Sequence, residues 1–126
     1  MFDGVEHVAI ASPSPAVLAQ WYVDHLAFRQ ISDHEGYYFV KAPNGSVLEI
    51  IPAKGDRGDQ KMYDPGLRHM AIPVKDFDAA YASLQGGGVK FLGEPYTAPA
   101  GHRLVFFTDC EGNILHLIQR AHPLPE

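Results

Sequence analysis

The pattern of apolar and polar positions along the chain is written twice. Residues 5–11 form a mostly apolar, β-prone run interrupted by Glu6 and His7. Ser12-Pro13-Ser14-Pro15 follows, and Pro15 suits the first turn of a helix. From residue 16 to 26, Val17, Trp21 and Leu26 recur at roughly helical spacing. Three short runs rich in β-branched and aromatic residues come next, at 28–32, 36–41 and 46–51. Turn signals such as Pro43-Asn44-Gly45 separate them. The second half repeats this order. Residues 67–74 read as a strand. Asp76 is placed to cap a helix running to about residue 85, with Phe77, Ala80, Tyr81 and Leu84 on one face. Gly86-Gly87-Gly88 stops that helix, and strands are expected at 90–92, 103–108 and 114–120. The predicted order is βαβββ, twice, which is an α+β fold.

The repeat is visible residue by residue. Gly4-Val5-Glu6-His7-Val8-Ala9-Ile10 aligns with Gly66-Leu67-Arg68-His69-Met70-Ala71-Ile72, an offset of 69 − 7 = 62. Asn44-Gly45-Ser46-Val47-Leu48-Glu49-Ile50-Ile51 aligns with Glu111-Gly112-Asn113-Ile114-Leu115-His116-Leu117-Ile118, an offset of 116 − 49 = 67. The difference of 67 − 62 = 5 fits a longer loop in the second half, around residues 94–102. The modules therefore cover about 4–52 and 66–120 of a single domain, 1–126. A polar, turn-rich linker (52–66) joins them, and a proline-containing tail (122–126) is expected to fray.

Composition narrows the function classes. At 126 residues, 46% hydrophobic and 20% charged, the chain is long enough for one buried core and ordinary for a soluble protein. No apolar run approaches the roughly 20 residues that cross a bilayer. Met1-Phe2-Asp3-Gly4 does not open a signal peptide, so a cytoplasmic location without membrane contact is expected. A formal net charge of −5 argues against a nucleic-acid partner. The single cysteine, Cys110, excludes an internal disulfide. Its neighbours Asp109 and Glu111 are expected to raise its thiol pKa, which speaks against a catalytic role.

The candidate chemistry lies at the repeated positions. His7 and His69 share one slot on the first strand of each module, and Glu49 and His116 share one slot on the last. Val47 and Ile51 flank Glu49 at i±2, Ile114 and Ile118 flank His116, and the direct neighbours are apolar too. A lone carboxylate or imidazole in such a run is costly unless it is paired or metal-bound. One such histidine would ordinarily be a hydrogen-bonded core residue, but four polar interruptions at equivalent positions point to a shared purpose. Three imidazoles and one carboxylate suit Zn²⁺, Fe²⁺, Mn²⁺, Co²⁺ or Ni²⁺. Tyr63, Tyr96 and His102, in predicted loops, are further candidates for ligand contact. Arg103 and Lys41 are candidates for salt bridges or an anionic substrate, and His25 and His34 for solvated positions.

These residues resemble a known group. Paired βαβββ modules with Val5-Glu6-His7-Val8-Ala9-Ile10, Gly45-Ser46-Val47-Leu48-Glu49-Ile50 and Leu67-Arg68-His69-Met70-Ala71-Ile72 are similar to the glyoxalase/bleomycin-resistance/dioxygenase (vicinal oxygen chelate) superfamily. Trp21-Tyr22-Val23-Asp24-His25-Leu26-Ala27-Phe28 resembles that family's helix end, with Ala27 where glycine is usual. Asp109-Cys110-Glu111-Gly112-Asn113 resembles its Asp-Pro-Asp-Gly-Asn turn. The resemblance implies a curved mixed sheet around a metal-binding cavity, with His7, Glu49, His69 and His116 as ligands. It also implies a small-molecule substrate with adjacent oxygens and lyase or isomerase chemistry through a metal-stabilised enolate, with Glu49 either leaving the metal to act as the catalytic base or staying a ligand while water takes the proton. An extradiol-type dioxygenase and a non-catalytic drug-binding protein are the alternatives, and a homodimer is expected from the open sheet edges.

Two departures bear on the reaction. The family's fourth ligand is usually glutamate, and here it is His116. With Glu49 alone, a divalent ion keeps a net charge of about +1, which favours an anionic oxygen and a more acidic bound water. Glutathione-dependent members carry arginine four residues after the first ligand and asparagine four after the second. Ala11 and Ala53 stand there, which argues against glutathione as co-substrate.

Overall fold

Each half of the chain lays one helix on one sheet, because each helix has an apolar stripe and each central strand pair has an apolar face to receive it. The computed structural model describes residues 1–126 as two compact units, Met1–Gly58 and Asp59–Glu126. The boundary falls inside the predicted linker.

In the first unit, β1 (Val8–Ser12) leads into α1 (Pro15–Leu26), followed by β2 (Arg29–His34), β3 (Tyr37–Lys41) and β4 (Val47–Pro52). The sheet order is β1-β4-β3-β2, with β1 parallel to β4 and the remaining pairs antiparallel. Leu18, Ala19 and Tyr22 of α1 are fully buried, as are Val40 and Ile50 on the sheet. Pro15 opens the helix as expected. Ala27 ends it at φ 60, ψ 21, and its N–H donates to the Tyr22 carbonyl. That left-handed cap is the conformation glycine adopts most cheaply. β2 carries a register shift between Gln30 and Ser32.

The second unit repeats the plan with one change. β5 (Met70–Pro73) and α2 (Phe77–Gly86) are followed by β6 (Lys90–Phe91), β7 (Tyr96–Thr97), β8 (Arg103–Thr108) and β9 (Ile114–Gln119). The order is β5-β9-β8-β6, and β7 also pairs with β8. β6 pairs with the Phe107–Thr108 end of β8 and β7 with the Arg103–Leu104 end, so two short strands share the edge that β2 covers alone in the first unit. Three strands are expected there from the hydrophobic pattern; four form, because the extra loop residues divide the edge strand. The Asp76 side chain caps α2 by accepting from the Ala79 N–H at 3.1 Å, as the sequence predicts. Phe77 and Leu84 of α2 are buried, as are Val105, Phe107, Leu115 and Leu117 of the sheet.

The turn between β8 and β9 is held by Asp109. One carboxylate oxygen accepts from the Glu111 and Asn113 N–H groups at 2.9 and 3.0 Å. The other accepts from the Asn113 side-chain amide at 2.7 Å. Gly112, at φ +90, supplies the left-handed residue the turn requires. No helix is long and apolar enough to cross a membrane.

Candidate metal centre

The face of each sheet turned away from its helix carries the polar residues. On β4, Leu48 and Ile50 are buried against α1, so Glu49 projects from the opposite face. Its cross-strand partners are Ala9 on β1 and Phe39 on β3. On β9, Leu115 and Leu117 pack toward α2, and His116 opposes Ala71 and Phe106.

His7 and His69, expected within the first strand of each module, instead sit one residue before β1 and β5. The β1 ladder starts at Val8↔Leu48 and the β5 ladder at Met70↔Leu115. One residue further back, the partner strands β4 and β9 reach their own first residues and the pairing ends. The imidazoles nevertheless land beside the last-strand candidates of their own units. His7 Nε2 is 3.4 Å from Glu49 Oε1. The His69 and His116 ring centroids are 4.8 Å apart. The predicted residues are thus brought together as two pairs, His7 with Glu49 and His69 with His116, and no cluster of three or more potential ligands forms.

An aromatic ring backs each pair in matching geometry. Phe39 meets His7 edge-on at 5.6 Å and 80°, and Phe106 meets His69 at 5.7 Å and 90°. The sequence offers Phe39 within Tyr37-Tyr38-Phe39, a half-buried strand with one face able to line the cavity, but does not single out Phe106. The spacing, 106 − 39 = 67, is the offset that relates Glu49 to His116, so carrying the repeat one strand further finds Phe106 as well.

The hydrogen bonds of the histidines decide which nitrogens are open. His116 is buried, and its Nδ1 lies 3.1 Å from the Leu117 carbonyl, so Nδ1 carries the proton and Nε2 keeps its lone pair. A ligating imidazole is oriented by just such a bond. Burial pushes the His116 pKa down; the Leu117 bond works against this, while His69 and Arg120 add to the depression. His7 directs Nδ1 to the exposed Glu6 carboxylate at 3.0 Å. With Nδ1 donating, His7 Nε2 and the Glu49 carboxylate face each other as two acceptors. Such a pair needs a proton or a cation between its atoms, so the donor set fits a divalent metal.

A sequence profile of the Glyoxalase/Bleomycin resistance protein/Dioxygenase superfamily matches residues 4–117. The chain belongs to this superfamily. Within it, the chain is 32% identical over 130 residues to the uncharacterized protein YaeR of Escherichia coli strain K12, covering 92% of this chain and 95% of that one. Among solved glyoxalase-superfamily-like folds, oxidase ChaP-H2 superposes with a TM-score of 0.76 at 22% identity, covering 97% of each chain. TnmS3, an antibiotic binding protein from Streptomyces sp. CB03234, superposes with a TM-score of 0.74 at 22% identity, covering 95% of this chain and 98% of that one. At these identities the structures establish the glyoxalase-type fold. The neighbours include both an oxidase and a binding protein, so shared architecture leaves the chemistry to the site residues.

The remaining candidates fall elsewhere. Arg103 stacks on Phe77 at 4.4 Å and pairs with Asp78 at 3.0 Å on the helix side of its sheet. Tyr63 is exposed, and Tyr96 is an exposed residue of β7. His34 is the exposed last residue of β2, and His25 packs on Trp21 at 4.9 Å. Cys110 is exposed, and partial desolvation, then Asp109 and Glu111, push its thiol pKa up as expected.

Proposed function

We propose that His7, Glu49, His69 and His116 serve as ligands of a divalent metal, and that the protein is a metal-dependent enzyme acting on a small molecule with adjacent oxygens. The observation that carries this reading is the paired geometry: two repeat-equivalent ligand pairs, each backed by a phenylalanine on the helix-free face of its sheet. The three imidazoles provide neutral nitrogen donors and Glu49 the one carboxylate, a set suited to Zn, Fe, Mn, Co or Ni. When bound, the ion supplies Lewis acidity toward the substrate's oxygens. Glu49 is the group with the basicity to take a proton from a carbon next to a carbonyl, and its partly open position leaves room for that carbon. Phe39 and Phe106 give the substrate apolar walls on either pair and limit water beside the reacting atoms. Lyase or isomerase chemistry follows from this set; with Fe or Mn, cleavage of a diol by oxygen is the competing reaction.

A second reading, capture of a small molecule without catalysis, is favoured by the same phenylalanines and by the similarity in fold to an antibiotic binding protein. The exposed apolar residues Val5, Val8 and Leu67, at or just before the edge strands β1 and β5, support assembly as a homodimer.

The test is metal content by elemental mass spectrometry on untagged protein, beside a His116→Ala variant. The enzyme reading expects about one equivalent of transition metal per chain, reduced in the variant. Protein that binds no metal, and takes none up on reconstitution, sinks it in favour of the binding reading.

A further inference from the structure

We propose that His102 and Arg120, with His122 beside them, form a binding site for an oxyanion group of a small ligand, a carboxylate or a phosphate. The argument begins with one imidazole. The backbone N–H of Ala121 donates to His102 Nδ1 at 2.9 Å. Nδ1 is therefore unprotonated, and neutral His102 carries its proton on Nε2. That same Nε2 lies 3.4 Å from Arg120 Nη1, which is always a donor. Two donors thus converge with no acceptor between them. This is the inverse of His7 and Glu49, where two acceptors converge. An arrangement of donors around an empty point is completed by an oxygen bearing negative charge.

Three further observations agree. The His122 ring lies 5.2 Å from His102, adding a third potential donor on the same side. Arg120 has no carboxylate partner, whereas Arg103, its neighbour across the strands, is neutralised by Asp78. Desolvation, then Arg120 and His122, lower the His102 pKa below the ordinary histidine value, in keeping with the neutral imidazole that the Ala121 hydrogen bond implies. In a chain of net charge −5, a convergence of unpaired cationic and donor groups is not the background condition.

Position gives the site its use. Phe106 opposes His116 and Leu104 opposes Ile118 across β8 and β9. Continuing that register places His102 opposite Arg120. All six residues lie on the helix-free face, since Arg103, Val105 and Phe107 alternate with them toward α2. Arg120 is four residues beyond His116, about 13 Å at strand rise. A ligand that reaches both ends would carry its oxyanion at Arg120 and its reacting oxygens near His69 and His116. This last step rests on the proposed metal centre; the oxyanion site itself does not.

The experiment follows the imidazole ¹⁵N resonances of the protein as purified, titrated with inorganic phosphate and separately with acetate at constant ionic strength set by sodium chloride. The expected result is an unprotonated Nδ1 and protonated Nε2 on His102, with a saturable shift in His102 as one or both probes are added. Saturation with acetate alone assigns a carboxylate ligand, with phosphate alone a phosphate, and with both a general oxyanion site. Arg120→Gln and His102→Asn should each weaken the saturating probe on the order of tenfold, the loss of one charge-assisted hydrogen bond. An unchanged amide spectrum certifies each variant's fold. Shifts that never saturate with either probe, or saturation unchanged in Arg120→Gln, overturn the proposal. Metal content of Arg120→Gln is expected to equal that of the wild type, and His116→Ala should keep the saturable shift. Saturable probe binding by a protein that takes up no metal would therefore uphold this site while the metal centre fell.

Discussion

Ala27 holds a left-handed cap that a β-carbon disfavours by roughly 1–2 kcal/mol. Replacing it with glycine removes that strain but gives the unfolded chain more freedom, a cost of about 0.4–1 kcal/mol. Ala27→Gly is expected to stabilise the protein by roughly 0.5–1 kcal/mol, read as a higher urea midpoint at unchanged slope. Asp109 is the opposite case. The residue is 4% exposed, and its carboxylate accepts three hydrogen bonds from the turn it organises. Asp109→Ala leaves those donors unpaired and should cost about 2–3 kcal/mol in the same measurement. Beside it, Cys110 has a raised thiol pKa. A raised pKa disfavours the thiolate, so iodoacetamide should modify Cys110 with a rate-versus-pH midpoint above that of an unstructured cysteine peptide. A midpoint at or below the peptide's would contradict the acidic environment.

At the scale of elements, the β4 and β9 strands present one polar residue each on the face away from the helix, and the β1 and β5 entries bring a histidine beside it. This yields an asymmetry between the two pairs. His116 is buried with its tautomer set by the Leu117 carbonyl, while His7 is held by the exposed Glu6. Loss of a ligand from the well-oriented pair should cost more. His116→Ala is expected to lower metal occupancy further than His7→Ala, by a factor on the order of ten in affinity. Glu6→Ala should be close to neutral. Equal losses in the two histidine variants would show that orientation by the Leu117 carbonyl contributes little.

For the whole molecule, the segment between the two units has no strand or helix from residue 53 to 69. Lys54 and Arg57 are exposed within it, while Lys61 is tied down by its N–H to Asp64 and by its carbonyl to Arg68. Limited trypsin digestion should therefore cut first after Lys54 and Arg57, giving two fragments that correspond to the units. First cuts inside either unit, detected by mass spectrometry, would contradict this.

The repeat, the order of helices and strands, the α2 cap at Asp76 and the residues of the two proposed ligand pairs follow from local sequence. Apolar periodicity, turn residues and the positions of polar interruptions act over a few residues at a time. Other features needed the three-dimensional structure because they depend on residues distant in the chain. The edge of the second sheet splits into β6 and β7 only because β8 offers pairing groups at both ends. His7 and His69 stop short of their strands because the partner strands end there. The Arg120–His102 convergence exists only once β8 and β9 are in register, since 18 residues separate its two members in sequence. The sequence determined which polar side chains stand at the repeated positions; strand pairing decided which of them meet, because hydrogen-bond register, not spacing along the chain, sets the distance between them.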